Sequence, residues 1–260
     1  MEKLFLVTGA SGKLGGAFVN KLKEVSAGKV YAFSRKSTNT CADKSYLVDL
    51  LEEKEVLSIF KDLDFHEYDE IILVHTVGKF KFEDGTTVTV DDDGDGIDDD
   101  VYRTNVITVK NILKSLFSCS AEETKIKVCA FASVSDKYNI PFWSSYTRSK
   151  NILRGYLQTL CEIRKISALV VNVSTVDTGN ENQLRPLADK TYWLEPEEIV
   201  TEVLPSIENL VGYQEIDIIK ENPSFKKDYY IDHDVLLKKW HTEMGLNNEG
   251  TSFDSHKGVG

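Results

Sequence analysis

Seven short apolar runs, rich in β-branched residues, recur along the chain, and amphipathic stretches separate most of them. The runs are Lys3–Thr8, Val30–Phe33, Tyr46–Val48, Ile71–His75, Lys127–Ala132, Ala168–Val173 and Glu215–Ile219. A strand that is apolar on both faces has to be covered on both, which is the situation of a parallel sheet. The covers are legible as well. Gly12–Val25 repeats Leu14, Phe18 and Leu22 on one helical face, and Val101–Phe117 repeats Val109, Ile112, Leu113 and Leu116. Leu50–Phe60, Tyr146–Ile163 and Pro196–Leu210 complete the set, the last with Pro at a helix start. The expectation is a doubly wound α/β domain of about seven parallel strands with helices on both faces. A chain of 260 residues suffices for one such domain. Residues 1–246 are read as that domain, with an insert at 80–100, and the polar tail 247–260 is expected to be mobile.

The first strand runs into Thr8-Gly9-Ala10-Ser11-Gly12-Lys13-Leu14-Gly15 and then into a helix. Glycines at 9, 12 and 15 permit a tight turn and a close backbone approach to a pyrophosphate, which the helix N-terminus attracts. This is a Rossmann-type nucleotide-binding arrangement, with Gly9, Ser11, Gly12, Lys13, Leu14 and Gly15 as cofactor contacts. An acid at the end of the second strand would bind a ribose 2′-hydroxyl. Here that strand ends Phe33-Ser34-Arg35-Lys36, and a hydroxyl with two cations suits a 2′-phosphate, with Lys13 as a third cation nearby. NADP is therefore favoured over NAD.

Further along, Tyr146 and Lys150 stand one helical turn apart. A lysine ammonium beside a phenol lowers the phenol pKa and prepares it to exchange a proton with a carbonyl or alcohol. Ser133 follows the strand Lys127–Ala132, at the sheet edge where ligands bind in such folds. In this order the motifs resemble the short-chain dehydrogenase/reductase family over roughly residues 3 to 220. The resemblance implies that Ser133, Tyr146, Lys150 and Asn105 are catalytic. Asn105 would mark a backbone kink and a water relay to the lysine. It also implies adenine contacts by Asp49 and Leu50, and cofactor contacts by Val77, Gly78, Thr175, Val176 and Thr178, besides Tyr146 and Lys150. The implied chemistry is hydride transfer between nicotinamide and a carbonyl or alcohol substrate. The implied assembly is a homodimer or homotetramer through the helices of Asn105 and Tyr146.

The chain departs from the family pattern at two places. His75-Thr76-Val77-Gly78 stands for Asn-Asn-Ala-Gly, and Ser174-Thr175-Val176-Asp177-Thr178 lacks Pro-Gly. Backbone groups at 174–178 are still expected to reach the nicotinamide amide. His75 is read as a hydrogen-bonded residue at a strand end rather than a base. A non-catalytic NADP sensor or scaffold and a nucleotide-sugar-modifying enzyme are the alternatives.

The formal charge is −11, and nine of the 42 acids lie between Glu83 and Asp100 with no base among them. The other positions are close to neutral, which argues against a basic nucleic-acid-binding face. Phe80–Val90 reads as a hairpin around Asp84-Gly85. Asp91, Asp93, Asp95, Ile97 and Asp99 have the spacing of a Ca²⁺ loop, with Tyr102 where a bidentate acid is usual. Phe80 and Phe82, with Phe142 and Trp143, are candidate walls of a substrate pocket. Cys41, Cys119, Cys129 and Cys161 show no metal spacing and are read as reduced, mostly buried thiols of a cytoplasmic protein. Met1-Glu2-Lys3 entering a strand directly is not a secretory layout, and no apolar run approaches the roughly 18 residues of a membrane helix.

Overall fold

A computed structural model describes residues 2–37, 40–83, 97–164, 166–223 and 229–246. Seven parallel strands form one sheet in the order β3-β2-β1-β4-β5-β6-β7. They are β1 (Lys3–Thr8), β2 (Lys29–Ser34), β3 (Lys44–Leu47), β4 (Glu70–His75), β5 (Lys125–Ser133), β6 (Ser167–Val173) and β7 (Tyr213–Ile218). The order reverses between β1 and β4, which opens a crevice at the carboxyl ends of these strands. In register, Thr8 of β1 lies beside Phe33 of β2 and His75 of β4, so the glycine turn leaves the sheet from its middle.

Alternation along the strands divides the core into two faces. Leu4 and Leu6 pack on one side with Leu113, Leu116, Leu153 and Leu157, under helices α2 (Glu53–Lys61), α4 (Thr108–Cys119) and α6 (Ser144–Arg164). Phe5 and Val7 pack on the other with Phe18, Leu22, Ile199 and Val203, under α1 (Lys13–Val25) and α8 (Pro196–Glu208). The central strands are almost wholly buried, as the continuous apolar runs require. The edge strands β3 and β7 carry the exposed and charged positions.

The remaining helices are short or lie late in the chain: α3 (Asp99–Tyr102), α5 (Val134–Tyr138), α7 (Gly179–Leu184) and α9 (His233–Met244). Helix α9 has no counterpart in the sequence expectation. Asp232 caps it, with its side chain accepting from the Val235 amide, and Gly245 ends it at φ +74. Its Leu236, Leu237 and Trp240 join Ile140, Phe142 and Trp143 in a third, aromatic core. Among the described residues no helix is long and apolar enough to cross a membrane.

Two sequence expectations are corrected. The described arm of the predicted hairpin, Phe80 to Glu83, is not a strand. It keeps the alternation without a partner strand. Phe80 and Phe82 enter the aromatic core, while Lys81 pairs with Asp98 at 2.5 Å and Lys79 with Asp100 at 2.9 Å. The cysteines are free, but only Cys129 is buried; Cys41 is exposed, because it lies outside the sheet and its helices.

Candidate active site

One cleft of about 1200 Å³ opens at the carboxyl edge of the sheet, over the β1–β4 crevice. At its floor is the glycine turn. Gly9 adopts φ +71, a conformation that favours glycine. Gly15 sits so close below it that a Cβ there would lie 2.4 Å from the Gly9 carbonyl oxygen. Helix α1 begins at Lys13 with no side-chain cap, so its first N–H groups are left for a ligand. Gly9, Ser11, Gly12, Lys13, Leu14 and Gly15 all line the cleft. An uncapped helix end on an open cradle fits a pyrophosphate.

The second strand contributes unevenly. Arg35 is exposed and lines the cleft, whereas Lys36 does not. Ser34 is buried, and its hydroxyl donates to the Lys36 carbonyl. Lys13 is not a spare cation beside them. Its Nζ pairs with Asp177 Oδ1 at 3.1 Å, because the β6–α7 loop sets that carboxylate opposite the turn. Asp49 accepts from the Leu51 amide, and Leu50 is buried in the core. Leu51, not Asp49 or Leu50, reaches the cleft wall.

The strand ends carry the polar groups. His75 is buried, with Nδ1 2.9 Å from Thr8 Oγ1 and Nε2 3.3 Å from Thr108 Oγ1. Burial, with the nearby Lys150 charge, pushes its pKa down to about 3, so the ring is neutral. Thr76 donates to the Thr8 carbonyl at 2.7 Å and fills the space under Gly9. Val77 and Gly78 line the cleft.

Ser133 ends β5 and caps α5 in a reciprocal box. Its Oγ accepts from the Ser135 amide and its own amide donates to Asp136. This leaves the Ser133 hydroxyl proton to donate elsewhere, and it bonds the Tyr146 phenol. Asp136 is itself held by Arg154 of α6, which also bonds Asn172 of β6 at 3.0 Å. An ion-paired layer therefore fixes Ser133 from beneath.

Tyr146 and Lys150 lie on the first turns of α6, as their spacing predicts. The Lys150 ammonium stands 5.4 Å from the Tyr146 ring centroid and donates to the Phe131 carbonyl at 2.8 Å. It is buried, and desolvation lowers its pKa to about 8 despite the Asp136 charge. The phenol differs from the sequence expectation. Burial, together with the Asp136 and Glu181 carboxylates, raises its pKa, and the bond from Ser133 only partly opposes this. The lysine ammonium lies over the Tyr146 ring, and burial of the phenol outweighs any lowering of its pKa.

Asn105 is fully buried in a π-helical segment, Arg103–Ile107, between α3 and α4. The kink implied by the resemblance is present. The Asn105 side chain sustains it: Oδ1 accepts from the Lys79 amide at 2.7 Å, while Nδ2 donates to the Lys79 carbonyl and to Ser149 Oγ. Asn105 lies behind Gly78, where a Cβ would stand 3.5 Å from both Asn105 Oδ1 and Lys150 Nζ.

The loop after β6 is less open than expected. The Thr175 carbonyl accepts from Leu194, the Val176 carbonyl from Thr178, and the Asp177 amide donates to Leu194. Thr175 Oγ1 accepts from Arg185, and Thr178 caps α7. Thr175, Val176 and Thr178 line the cleft with most of these groups already paired.

The acidic insert is tied to the start of α6. The buried Glu83 carboxylate accepts from the Ser145 amide at 2.8 Å, Ser145 Oγ at 2.6 Å and Ser144 Oγ at 3.0 Å. The Asp98 amide donates to the same Ser145 Oγ at 2.9 Å. Both ends of the segment thus grip the residue before Tyr146. Glu83→Ala removes a charged cap from α6 and should lower unfolding stability by about 1–2 kcal/mol, measured by denaturant titration. Of the Ca²⁺-loop positions, Asp91, Asp93 and Asp95 lie outside the described residues, Ile97 is buried and Asp99 opens α3. Among the described residues no group of three or more His, Cys, Asp or Glu could hold a metal.

The residues that sequence reasoning missed come from α7 and α9. Arg185 bonds Glu181, Glu243 and Thr175, and its guanidinium lies 4.1 Å from the Trp240 ring centroid. Asp232 before an apolar helical pattern, with Gly245 after it, was the available signal for α9.

No family model matches the chain, and no curated protein does. Solved structures do. The chain is similar to the aldohexose dehydrogenase of Thermoplasma acidophilum, at 17% identity and TM-score 0.68, over 83% of this chain and 92% of that one. It is similar to a short-chain dehydrogenase from Burkholderia cenocepacia in complex with NADP, at 18% identity and TM-score 0.68, over 92% and 97%. It is also similar to 4-hydroxyisoleucine dehydrogenase complexed with NADH, at 19% identity and TM-score 0.64, over 86% and 100%. The fold is therefore the Rossmann-type α/β fold that short-chain dehydrogenases and reductases share.

Proposed function

We propose that this protein is an NADP(H)-dependent oxidoreductase that transfers a hydride between nicotinamide and a carbonyl or alcohol carbon. The observation that carries the reading is a convergence. An uncapped helix end on a glycine cradle shares one cleft with Ser133, Tyr146 and Lys150. The dehydrogenases of like fold solved with NADP or NADH support the same cofactor class. Ser11 to Gly15 would hold the pyrophosphate and Arg35 the 2′-phosphate, while Lys150 would hold the nicotinamide ribose. The bound cofactor supplies the hydride chemistry, and the protein supplies position and proton.

Tyr146, neutral because its pKa is raised, gives its proton to the substrate oxygen. Ser133 donates to the same oxygen and stabilises the charge that develops there. Asn105, in the π-helical kink behind Gly78, holds the Lys79 backbone and Ser149 beside Lys150, a positioning role. A neutral phenol favours reduction of the carbonyl. The same reading takes the protein as a cytoplasmic homodimer or homotetramer acting on a small molecule, with neither nucleic acid nor membrane as partner.

Arg35 tests the cofactor assignment. Arg35→Ala should weaken NADP by about tenfold or more while leaving NAD affinity unchanged, read by fluorescence titration of the reduced forms. Equal weakening of both would contradict NADP preference. Lys150 gives a pH signature. Its ammonium is present below about 8 and is lost as pH rises through that value. NADP affinity should be flat below about 8 and fall above it, and Lys150→Met should bind weakly at every pH.

A further inference from the structure

We infer that the substrate is an uncharged carbonyl compound bearing a planar aromatic group, a reading that rests on the hydride-transfer assignment above. Around Tyr146 the cleft is walled by rings. Phe80 meets the Tyr146 ring edge-on at 5.1 Å and the Trp143 ring edge-on at 5.8 Å, lies tilted against Trp240 at 5.5 Å, and Trp143 and Trp240 are 4.8 Å apart. Tyr229 and Leu236 line the same end. Edge and face presentations at these spacings are what a further ring adds to favourably.

The charges at this end are turned on each other. Arg185 is buried, bonded to Glu181 and Glu243, and sandwiched between the Trp193 and Trp240 rings at 4.9 and 4.1 Å. Lys239 pairs with Glu243 at 3.6 Å. A substrate carboxylate or phosphate would have to break one of these pairs. A polyol would leave its hydroxyls desolvated against rings, at a cost for each unpaired group. A carbonyl on an aryl group instead places its oxygen at Ser133 and Tyr146 and its ring against the cleft face of the wall that Phe80, Trp143 and Trp240 build.

Three ligands decide the matter: a methyl naphthyl ketone, a methyl alkyl ketone of equal carbon number and an aldohexose. Each is titrated calorimetrically into the full chain with NADP present, and each is also followed for NADPH consumption. The naphthyl ketone should bind about tenfold tighter than the alkyl ketone, with the aldohexose weakest. Phe80→Leu, which keeps apolar bulk and loses the ring, should narrow that ratio to about twofold. Equal affinities, preference for the aldohexose, or no binding by any of the three overturns the inference. Selective binding of the naphthyl ketone without NADPH consumption supports it and contradicts the hydride reading instead. Consumption with all three and no preference does the reverse.

Discussion

Tyr146→Phe should abolish carbonyl reduction, by about a thousandfold in kcat, with NADP affinity and folding unchanged. The substitution removes one oxygen. The ring stays packed against Phe80, and Lys150 keeps its bond to the Phe131 carbonyl. What disappears is the proton that would neutralise the substrate oxygen as the hydride arrives. Ser133 remains as a donor, so the loss should fall short of the uncatalysed rate. Stopped-flow absorbance of NADPH separates the step from binding. An unchanged kcat would remove Tyr146 from the chemistry.

Gly15→Val should be the most damaging single change at the nucleotide end. Its Cβ would lie 2.4 Å from the Gly9 oxygen, 2.7 Å from the Gly9 carbonyl carbon and 2.8 Å from Thr76 Oγ1. The first two neighbours are backbone and cannot swing away, so the turn itself must move. Overpacking of this kind costs about 1–3 kcal/mol in stability. The same displacement opens the cradle, and NADP affinity should fall by about a hundredfold. Gly12→Ala is the control. Its Cβ would meet only the Gly9 oxygen, at 3.2 Å, so a smaller loss is expected. Thermal melting with and without NADP measures both effects.

The sheet was legible in the sequence because the central strands β1, β2, β4, β5 and β6 bury both faces and so read as apolar runs, which the edge strands β3 and β7 do less. The Tyr146–Lys150 pair was legible because a helix turns the two residues to one side. What escaped depends on tertiary context. Spacing places Lys150 near Tyr146 but does not say that the ammonium lies over the ring, nor that burial, with Asp136 and Glu181, raises the phenol pKa. Lys13 looked available because its partner, Asp177, is 164 positions away. The alternation at Phe80 and Phe82 suggested a strand pair, but those half-buried rings pack against Phe142 and Trp240 of elements far along the chain. The bases that answer Asp98 and Asp100 lie just outside the acidic window, so the window read as unneutralised.

The central claim is hydride transfer, and an isotope follows it directly. NADPH carrying deuterium on the transferable face of the nicotinamide is mixed with the wild-type chain and an aryl ketone, and the product alcohol is examined by mass spectrometry. The account predicts one deuterium in each alcohol molecule formed, with Tyr146→Phe forming that alcohol about a thousandfold more slowly than wild type. Binding of NADPH without deuterium in any product, across aryl, alkyl and sugar carbonyls, would contradict it and leave a nucleotide-binding protein that senses its ligand without chemistry.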